Sequence, residues 1–200
     1  MSATSYVQGQ AGRIEVRLLM PQHAKANVFA VVCHPHPLYG GTMDNKVVTT
    51  LTRTFKDLAI PVVSFNFRGV GQSEGLHDYA RGEVEDLLAV IAWAAQQIQA
   101  ENLYLAGFSF GSYVAYRAAA HSNSPLITIA PPVQHYDYTT FQSPDKWAVI
   151  QGDADEIVPL TDVESFVKTH DIQPFVVFQG VSHFFHGHLI PLKNALISII

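Results

Sequence analysis

Short runs of β-branched and aromatic residues alternate with longer segments of helical periodicity along nearly the whole chain. The alternation predicts an α/β fold with a largely parallel sheet, because right-handed crossovers place helices on both of its faces. We expect one domain over residues 1–200, with 1–12 as a loose N-terminal segment. Seven runs are predicted strands, and they span residues 14–20, 28–33, 61–67, 103–106, 126–130, 147–151 and 175–179.

Between these strands, apolar residues recur at every third and fourth position, which predicts helices. One helix is expected to begin after the possible caps Asp44 and Asn45. Thr161 and Glu164 fit a capping box at the start of another, and Pro191 suits the first position of the last helix.

The composition indicates a large apolar core and few charged partners. Hydrophobic residues make up 48% of the chain and charged residues 14%, against about 25% charged in an ordinary soluble domain. This balance excludes a disordered chain. The 12 lysines and arginines are scattered and the net charge is −5, so we expect neither nucleic acid nor a membrane surface as a partner.

Three features predict a cytoplasmic protein. Residues 1–10 are polar and lack the charged and apolar regions of a secretory signal. A single cysteine, Cys33, cannot form an internal disulfide. The longest apolar run, residues 87–95, is shorter than the ~20 residues of a membrane span. The sequence does not indicate an oligomeric state.

The segment Gly107-Phe108-Ser109-Phe110-Gly111 follows a predicted strand and precedes a helical segment. This is the strand–turn–helix context in which G-x-S-x-G exposes a nucleophilic serine. The turn is tight enough that the residues two before and two after the serine must be nearly free of side chains. The segment therefore predicts a nucleophile at Ser109.

Four segments of the chain resemble the α/β-hydrolase family. They are HPHPLYGGTMDN (34–45), GFSFGS (107–112), GDADEIVP (152–159) and SHFFHG (182–187). Together they are similar to small lidless bacterial serine hydrolases of the dienelactone-hydrolase-like branch, and the similarity spans roughly residues 13–200. Dienelactone hydrolases proper use a cysteine nucleophile, whereas this chain has Ser109, so their reaction is not implied.

The resemblance implies a Ser-His-Asp triad. In this family the serine, the acid and the histidine follow one another along the chain, each on a loop after a strand. The family pattern places the acid on Asp155 and the base on His183, with Ser109 as the nucleophile. Asp153 is an alternative acid that loop geometry alone does not separate from Asp155.

Several histidines allow other interpretations. His186 and His188 compete with His183 for the role of base. The H-x-x-H-x-H spacing of these three, joined by His34 and His36, also raises the hypothesis of a metal site. The chain lacks an H-E-x-x-H helix or an acidic partner at metalloenzyme spacing. We therefore predict no metal and no cofactor, and we expect His34 to be a buried imidazole that holds its loop.

The resemblance also implies an oxyanion hole made of two backbone N–H groups. One belongs to the residue after the nucleophile, Phe110, and the other to the loop after strand 28–33. Pro35 and Pro37 have no N–H. The second donor is therefore expected to be His36, with Leu38 as the alternative.

Residues 131–145, between two predicted strands, are too few for the helical cap domain that many α/β-hydrolases insert there. The site is therefore expected to be shallow and open. Its candidate substrate-binding residues are Tyr39, Met43, Phe110, Tyr136, Ile157 and Phe184.

These residues together predict a serine hydrolase that cleaves a carboxylic ester or thioester of a small or exposed acyl group through an acyl-enzyme. Two other kinds of function stay open. The same triad could serve a peptidase or a lyase, or the fold could belong to a binding protein that does no chemistry.

Overall fold

The computed structural model describes residues 4–200 of the chain. Its strands are β1 (Thr4–Gly9), β2 (Gly12–Leu19), β3 (Val28–Cys33), β4 (Val62–Phe65), β5 (Asn102–Phe108), β6 (Leu126–Ile129), β7 (Trp147–Gly152) and β8 (Phe175–Phe178). They form one sheet in the order β1-β2-β4-β3-β5-β6-β7-β8. The strands β3 to β8 are parallel, and β2 is antiparallel to both of its neighbours. The predicted α/β-hydrolase fold is confirmed, with eight strands where seven were expected.

Five helices cover the two faces of the sheet. They are α1 (Lys46–Asp57), α2 (Arg81–Ile98), α3 (Phe110–Ser122), α4 (Leu160–Thr169) and α5 (Leu189–Ile199). The helices α2, α3 and α4 bury one apolar core against the sheet, and α1 and α5 bury a second core on the opposite face. Within residues 4–200, no helix has the length and apolar character that crossing a membrane requires.

The prediction of a loose segment over residues 1–12 is wrong for the part that the structure describes. Thr4–Gly9 is the edge strand β1, which pairs with β2 from Thr4 opposite Arg17 to Gly9 opposite Gly12. Val7 alone in β1 is buried, where it joins the core beneath α2. Residues 1–3 lie outside the described residues.

Two of the predicted helix starts are also wrong. The side chain of Asn45 caps α1 as expected, by accepting a hydrogen bond from Val47 N at 2.9 Å. The helix α4, however, begins one residue before Thr161, so that Thr161 and Glu164 make no capping box. Pro191 is the third residue of α5 and not the first.

The parallel strands place several loops at a single edge of the sheet. Because β3 to β8 all point the same way, the loops that follow them meet beyond their carboxyl ends, where ligands bind in open α/β sheets. The segments 34–45, 107–112, 152–159 and 182–187 all lie at this edge.

Candidate active site

Ser109 occupies a sharp turn between β5 and α3. Its backbone has φ 53° and ψ −124°, a conformation that is strained for a residue with a side chain. The N–H of Ser109 donates to the carbonyl of Ile129 at 2.9 Å, and this bond holds the turn against β6. The strain is thus balanced by the neighbouring strand, and it presents the serine at the edge of the sheet.

The two glycines of the turn are required by close backbone contacts. A Cβ atom on Gly107 would lie 2.2 Å from the carbonyl oxygen of Gly111, and one on Gly111 would lie 2.4 Å from the carbonyl oxygen of His34. No side chain fits at either place. The absence of these side chains also lets the start of α3 approach the loop that follows β3.

Asp155 and His183 form a buried hydrogen-bonded pair. His183 Nδ1 lies 2.8 Å from Asp155 Oδ2, and both side chains are shielded from solvent. The other carboxylate oxygen of Asp155 accepts the N–H groups of Ile157 and Val158 at 2.9 and 2.7 Å. The carboxylate is therefore fixed by its own loop, and its contact with Nδ1 leaves Nε2 as the free nitrogen of the imidazole.

Asp153 has a different partner from Asp155. Its Oδ1 accepts the N–H of Gly180 at 2.6 Å, which ties the loop after β7 to the loop after β8. The structure therefore brings His183 to Asp155 and gives Asp153 a backbone partner.

The ring of His183 lies next to the Ser109 turn. Its centroid is 5.0 Å from that of Phe108, the residue before Ser109. No hydrogen bond joins Ser109 to His183 in the part of the chain that the structure describes. In unliganded active sites such bonds are often long and shorten only when substrate binds.

His36 and Leu38, the two candidate oxyanion donors of the loop after β3, differ in what their N–H groups do. The N–H of Leu38 donates to Nδ1 of His36 at 3.2 Å and is therefore occupied. Among residues 4–200, the N–H groups of His36 and Phe110 have no protein acceptor. The rings of His36 and Phe110 also touch, with centroids 4.9 Å apart.

His34 holds the same loop from beneath, as expected. Its Nδ1 donates to the carbonyl of Pro35 at 2.7 Å, and its Nε2 accepts the N–H of Phe67 at 2.9 Å. These two partners require the neutral imidazole. Burial accordingly lowers the pKa of His34 to about 3.

The other histidines do not gather around one point. His186 is exposed, and Nδ1 of His188 lies 2.9 Å from the carbonyl oxygen of His186, in the turn before α5. Over residues 4–200 there is no group of three or more histidine, cysteine, aspartate or glutamate side chains arranged to hold a metal ion.

A pocket of about 450 Å³ opens beside Ser109. Four of the six predicted substrate-binding residues line it. The full lining is His36, Tyr39, Ser109, Phe110, Pro132, His135, Tyr136 and Ile157. Burial and the negative charge of Glu83 raise the pKa of Tyr136. Pro132 and His135 were not predicted, because nothing in the sequence shows how the loop after β6 folds back over the site.

Two predicted lining residues lie elsewhere. Met43 is 1% exposed and belongs to the interior, where its N–H donates to Asn66 Oδ1 and its sulfur lies 4.0 Å from the Ser64 hydroxyl. Phe184 is partly exposed but packs on His183, with ring centroids 5.0 Å apart, outside the residues that line the pocket.

The loop between β6 and β7 forms one wall of the pocket. The hydroxyl of Tyr116 shares its single hydrogen between the carbonyls of Tyr138 and Phe141, at 2.5 and 2.7 Å. Tyr136 stacks on Tyr113 with centroids 4.6 Å apart. The loop is thus fastened to α3 and contains no helix, so it closes one side of the pocket without covering it.

Two buried residues beside the pocket, His77 and Glu83, are absent from the sequence predictions. The ring of His77 lies between those of His36 and Tyr79, with centroids 4.9 and 5.0 Å away, and Glu83 Oε1 is 2.8 Å from its Nδ1. Neither residue belongs to a recognisable motif, and the loop that brings them to the site is not evident in the sequence.

Comparisons with known proteins show which proteins this chain is similar to. Residues 10–157 match the family described as X-Pro dipeptidyl-peptidase (S15 family). An α/β serine hydrolase without a lid from Xanthomonas campestris is 46% identical, with a TM-score of 0.92, and the match covers 98% of this chain and 91% of that one. An α/β serine hydrolase homologue from Coxiella burnetii is 43% identical, with a TM-score of 0.91 and coverages of 98% and 96%.

One curated relative extends the match across most of the chain. An uncharacterized protein from Rickettsia prowazekii is 35% identical in an alignment of 193 positions that covers 90% of this chain and 81% of that protein. The sheet order, the serine turn at its edge and these matches point to the same group of proteins. The chain belongs to the α/β serine hydrolases without a lid, and its residues 10–157 match the model of the S15 peptidase family.

Proposed function

We propose that the protein hydrolyses carboxylic esters or thioesters, with Ser109 as nucleophile, His183 as base and Asp155 as the acid that orients it. The observation that carries the proposal is the buried contact between His183 and Asp155 at the sheet edge that also presents Ser109. A serine hydroxyl is a weak nucleophile and needs such a base, held in turn by an acid.

The reaction follows from these positions. The Ser109 oxygen attacks the acyl carbon while its proton passes to Nε2 of His183, and Asp155 stabilises the imidazolium through Nδ1. The oxyanion of the tetrahedral intermediate accepts hydrogen bonds from the N–H groups of His36 and Phe110, each worth about 10²- to 10³-fold in rate. The imidazolium then protonates the leaving alcohol or thiol. Water, activated by the same histidine, releases the acid and restores Ser109.

The shape of the pocket supports small or exposed acyl groups. It is open on one side and walled by Tyr39, Phe110, Tyr136 and Ile157. The proposed steps use only the side chains of Ser109, His183 and Asp155, the two backbone N–H groups and water.

We place the reaction in the cytoplasm, and the support is that Cys33 has no second cysteine with which to form a disulfide.

The test is hydrolysis of p-nitrophenyl acetate and butyrate with and without a fluorophosphonate, followed by mass spectrometry of the labelled peptide. We expect one adduct, on Ser109, that abolishes turnover. Ser109→Ala should lose about 10⁶-fold in kcat. Ser198→Ala, an exposed serine on α5, is the matched control and should keep full activity. Full activity in Ser109→Ala would rule out the proposed mechanism.

A peptidase is the second candidate, and the match of residues 10–157 to the X-Pro dipeptidyl-peptidase family favours it. The same triad can cleave an amide. An X-Pro p-nitroanilide in the substrate panel separates the two functions. If kcat/KM for this amide exceeds that for p-nitrophenyl acetate, peptide cleavage replaces ester hydrolysis as the main activity.

A further inference from the structure

His77 and Glu83 form a buried pair immediately behind the pocket. Glu83 is fully buried in the first turn of α2, and the side chain of His77 is 6% exposed. Oε1 of Glu83 lies 2.8 Å from Nδ1 of His77 and also accepts the N–H of Asp78 at 2.9 Å. The two side chains therefore contact each other in the interior, and the contact joins α2 to the loop that precedes it.

The pair is costly because its hydrogen bonding is incomplete. Nδ1 of His77 makes no well-aligned hydrogen bond despite its 2.8 Å distance from Glu83 Oε1, and Nε2 of His77 and Oε2 of Glu83 have no hydrogen-bond partner in the described structure. Unpaired polar atoms in the interior destabilise a fold. Stability therefore does not explain why these two residues are here.

The location of the pair does suggest a role. The ring of His77 contacts those of His36 and Phe110, with centroids 4.9 and 5.5 Å away. These are the two residues whose N–H groups are the proposed oxyanion donors, and they come from separate loops, after β3 and after β5. His77 thus joins the two halves of the oxyanion hole.

His77 is the member of the pair that faces this hole. The pKa of His36 is lowered by burial and then by the electrostatic effect of the neighbouring His77, whereas Glu83 raises it to a smaller extent. His77 also has ring contacts with both His36 and Phe110, while Glu83 lies behind it in α2.

We propose that His77 and Glu83 are positioning residues for the oxyanion hole: Glu83 fixes His77, and His77 holds His36 and Phe110 in register, so that their N–H groups meet the oxyanion of the tetrahedral intermediate. This inference rests on the proposed function. Because the negative charge exists only in the transition state and the intermediate, the pair contributes to kcat and not to substrate binding.

The double variant His77→Phe/Glu83→Gln tests the inference. Phenylalanine keeps a ring against His36 and Phe110, and glutamine keeps an acceptor for Asp78 N. Both substitutions preserve the shape of the pair while they remove the contact between Glu83 Oε1 and His77 Nδ1. We expect stability near that of the wild type. We also expect kcat for p-nitrophenyl acetate about tenfold lower, which is less than the loss of a direct donor because the pair acts through its neighbours.

Two further readouts separate this role from a merely structural one. KM should stay unchanged, and the affinity for a boronic acid, which forms a tetrahedral anion on the serine, should fall by the same factor as kcat. The control is Arg68→Met/Asp86→Leu, which removes a buried ion pair between the loop after β4 and α2, with Arg68 Nε and Asp86 Oδ2 2.8 Å apart. Its kcat should equal that of the wild type.

The inference is overturned, and the proposed function is left standing, if the wild type is active and the folded double variant has the same kcat. A raised KM with unchanged boronate affinity also overturns it, because the pair would then shape the pocket. A wild type that neither turns over nor reacts with the fluorophosphonate overturns the proposed function and the inference together. If the double variant does not fold, Glu83→Gln alone is measured against the same outcomes.

Discussion

The carboxylate beside His183 is expected to matter far more for catalysis than the one two residues before it. Asp155→Asn keeps the oxygen that accepts the N–H groups of Ile157 and Val158 but places an uncharged amide against His183. The amide no longer fixes the His183 tautomer that carries its proton on Nδ1, and it no longer stabilises the imidazolium that forms during the reaction. We expect kcat to fall about 10⁴-fold, as measured with p-nitrophenyl acetate.

Asp153→Asn is the matched comparison, since it removes a charge of the same loop. The amide oxygen of the new side chain can still accept from Gly180 N, so we expect kcat within about twofold of the wild type and an unfolding free energy lower by about 0.5 kcal/mol. Equal losses in the two variants would show that His183 does not depend on Asp155 in particular.

His34 makes the stability of the fold depend on pH. Its pKa is lowered to about 3 in the folded protein and returns to its ordinary value of 6.5 on unfolding. Between about pH 3 and pH 6.5 the unfolded chain therefore binds one more proton than the folded protein. The contribution of neutral His34 to the free energy of unfolding is complete above about pH 6.5, and it declines by about 1.4 kcal/mol per pH unit as the pH falls toward 3.

Urea unfolding at pH 7.5, 6.0 and 5.0 measures this effect. In His34→Gln we expect a lower free energy of unfolding at pH 7.5. Below pH 6.5 this free energy should decline less steeply with falling pH than in the wild type, and the difference in slope should correspond to the uptake of about one proton on unfolding. His186→Gln, which changes an exposed histidine, is the control and should follow the wild type. Parallel curves for His34→Gln and wild type would contradict the assignment of this proton to His34.

At the scale of elements, the turn from β5 into α3 tolerates no added atom. Gly111→Ala would bring a Cβ atom 2.4 Å from the carbonyl oxygen of His34, and the backbone on both sides is held by the sheet. We expect a loss of about 3 kcal/mol in unfolding free energy, with activity lost as the turn shifts. Chemical denaturation and ester hydrolysis on the same sample measure both.

Gly187→Ala provides the comparison for backbone strain. Gly187 has φ 77°, but a Cβ atom there would meet nothing within 4 Å. We expect a loss of about 1 kcal/mol and full activity. If Gly111→Ala were as mild as Gly187→Ala, the close packing of the serine turn on the 34–45 loop would be wrong.

The parallel strands could be predicted because apolar runs such as 28–33 and 61–67 are buried on both faces of the sheet and are distinct in the sequence. β1 could not, since Val7 is its only buried residue and the rest of TSYVQG has the composition of a loop. The Thr161–Glu164 pattern failed for a different reason. The chain enters α4 one residue earlier, so a favourable local pattern is left unused.

The candidate site was predictable to the extent that the topology determines it. Loops after parallel strands meet at one edge, so the order serine, acid, histidine was enough to expect Ser109, Asp155 and His183 together. The path of each loop is set by packing that the sequence does not reveal. Met43 therefore turned out to be an interior residue, and the placement of His77 and Glu83 beside His36 was not foreseen.

At the scale of the whole molecule, the sheet separates two independent cores. Leu87 of α2 and Leu196 of α5 are both fully buried, one on each face. We expect Leu87→Ala and Leu196→Ala each to cost about 2–5 kcal/mol of unfolding free energy. The double variant should lose the sum of the two to within about 0.5 kcal/mol, because the residues share no neighbours.

Urea titrations of the four proteins give the coupling energy. An interaction above about 1 kcal/mol would mean that strain passes through the sheet from one face to the other. An m value that differs among the variants would indicate a partly folded state in which only one of the two cores survives.

The wall formed by the loop between β6 and β7 has a consequence for how this protein could diversify. The loop supplies Pro132, His135 and Tyr136 to the pocket but none of the groups proposed for bond cleavage. Tyr138 anchors the loop, because it is buried and its carbonyl accepts a hydrogen bond from the Tyr116 hydroxyl of α3. Selection for new substrates can therefore vary the three lining positions while the chemistry and the anchoring remain unchanged, so one scaffold can give rise to enzymes with different preferences through changes in a single loop.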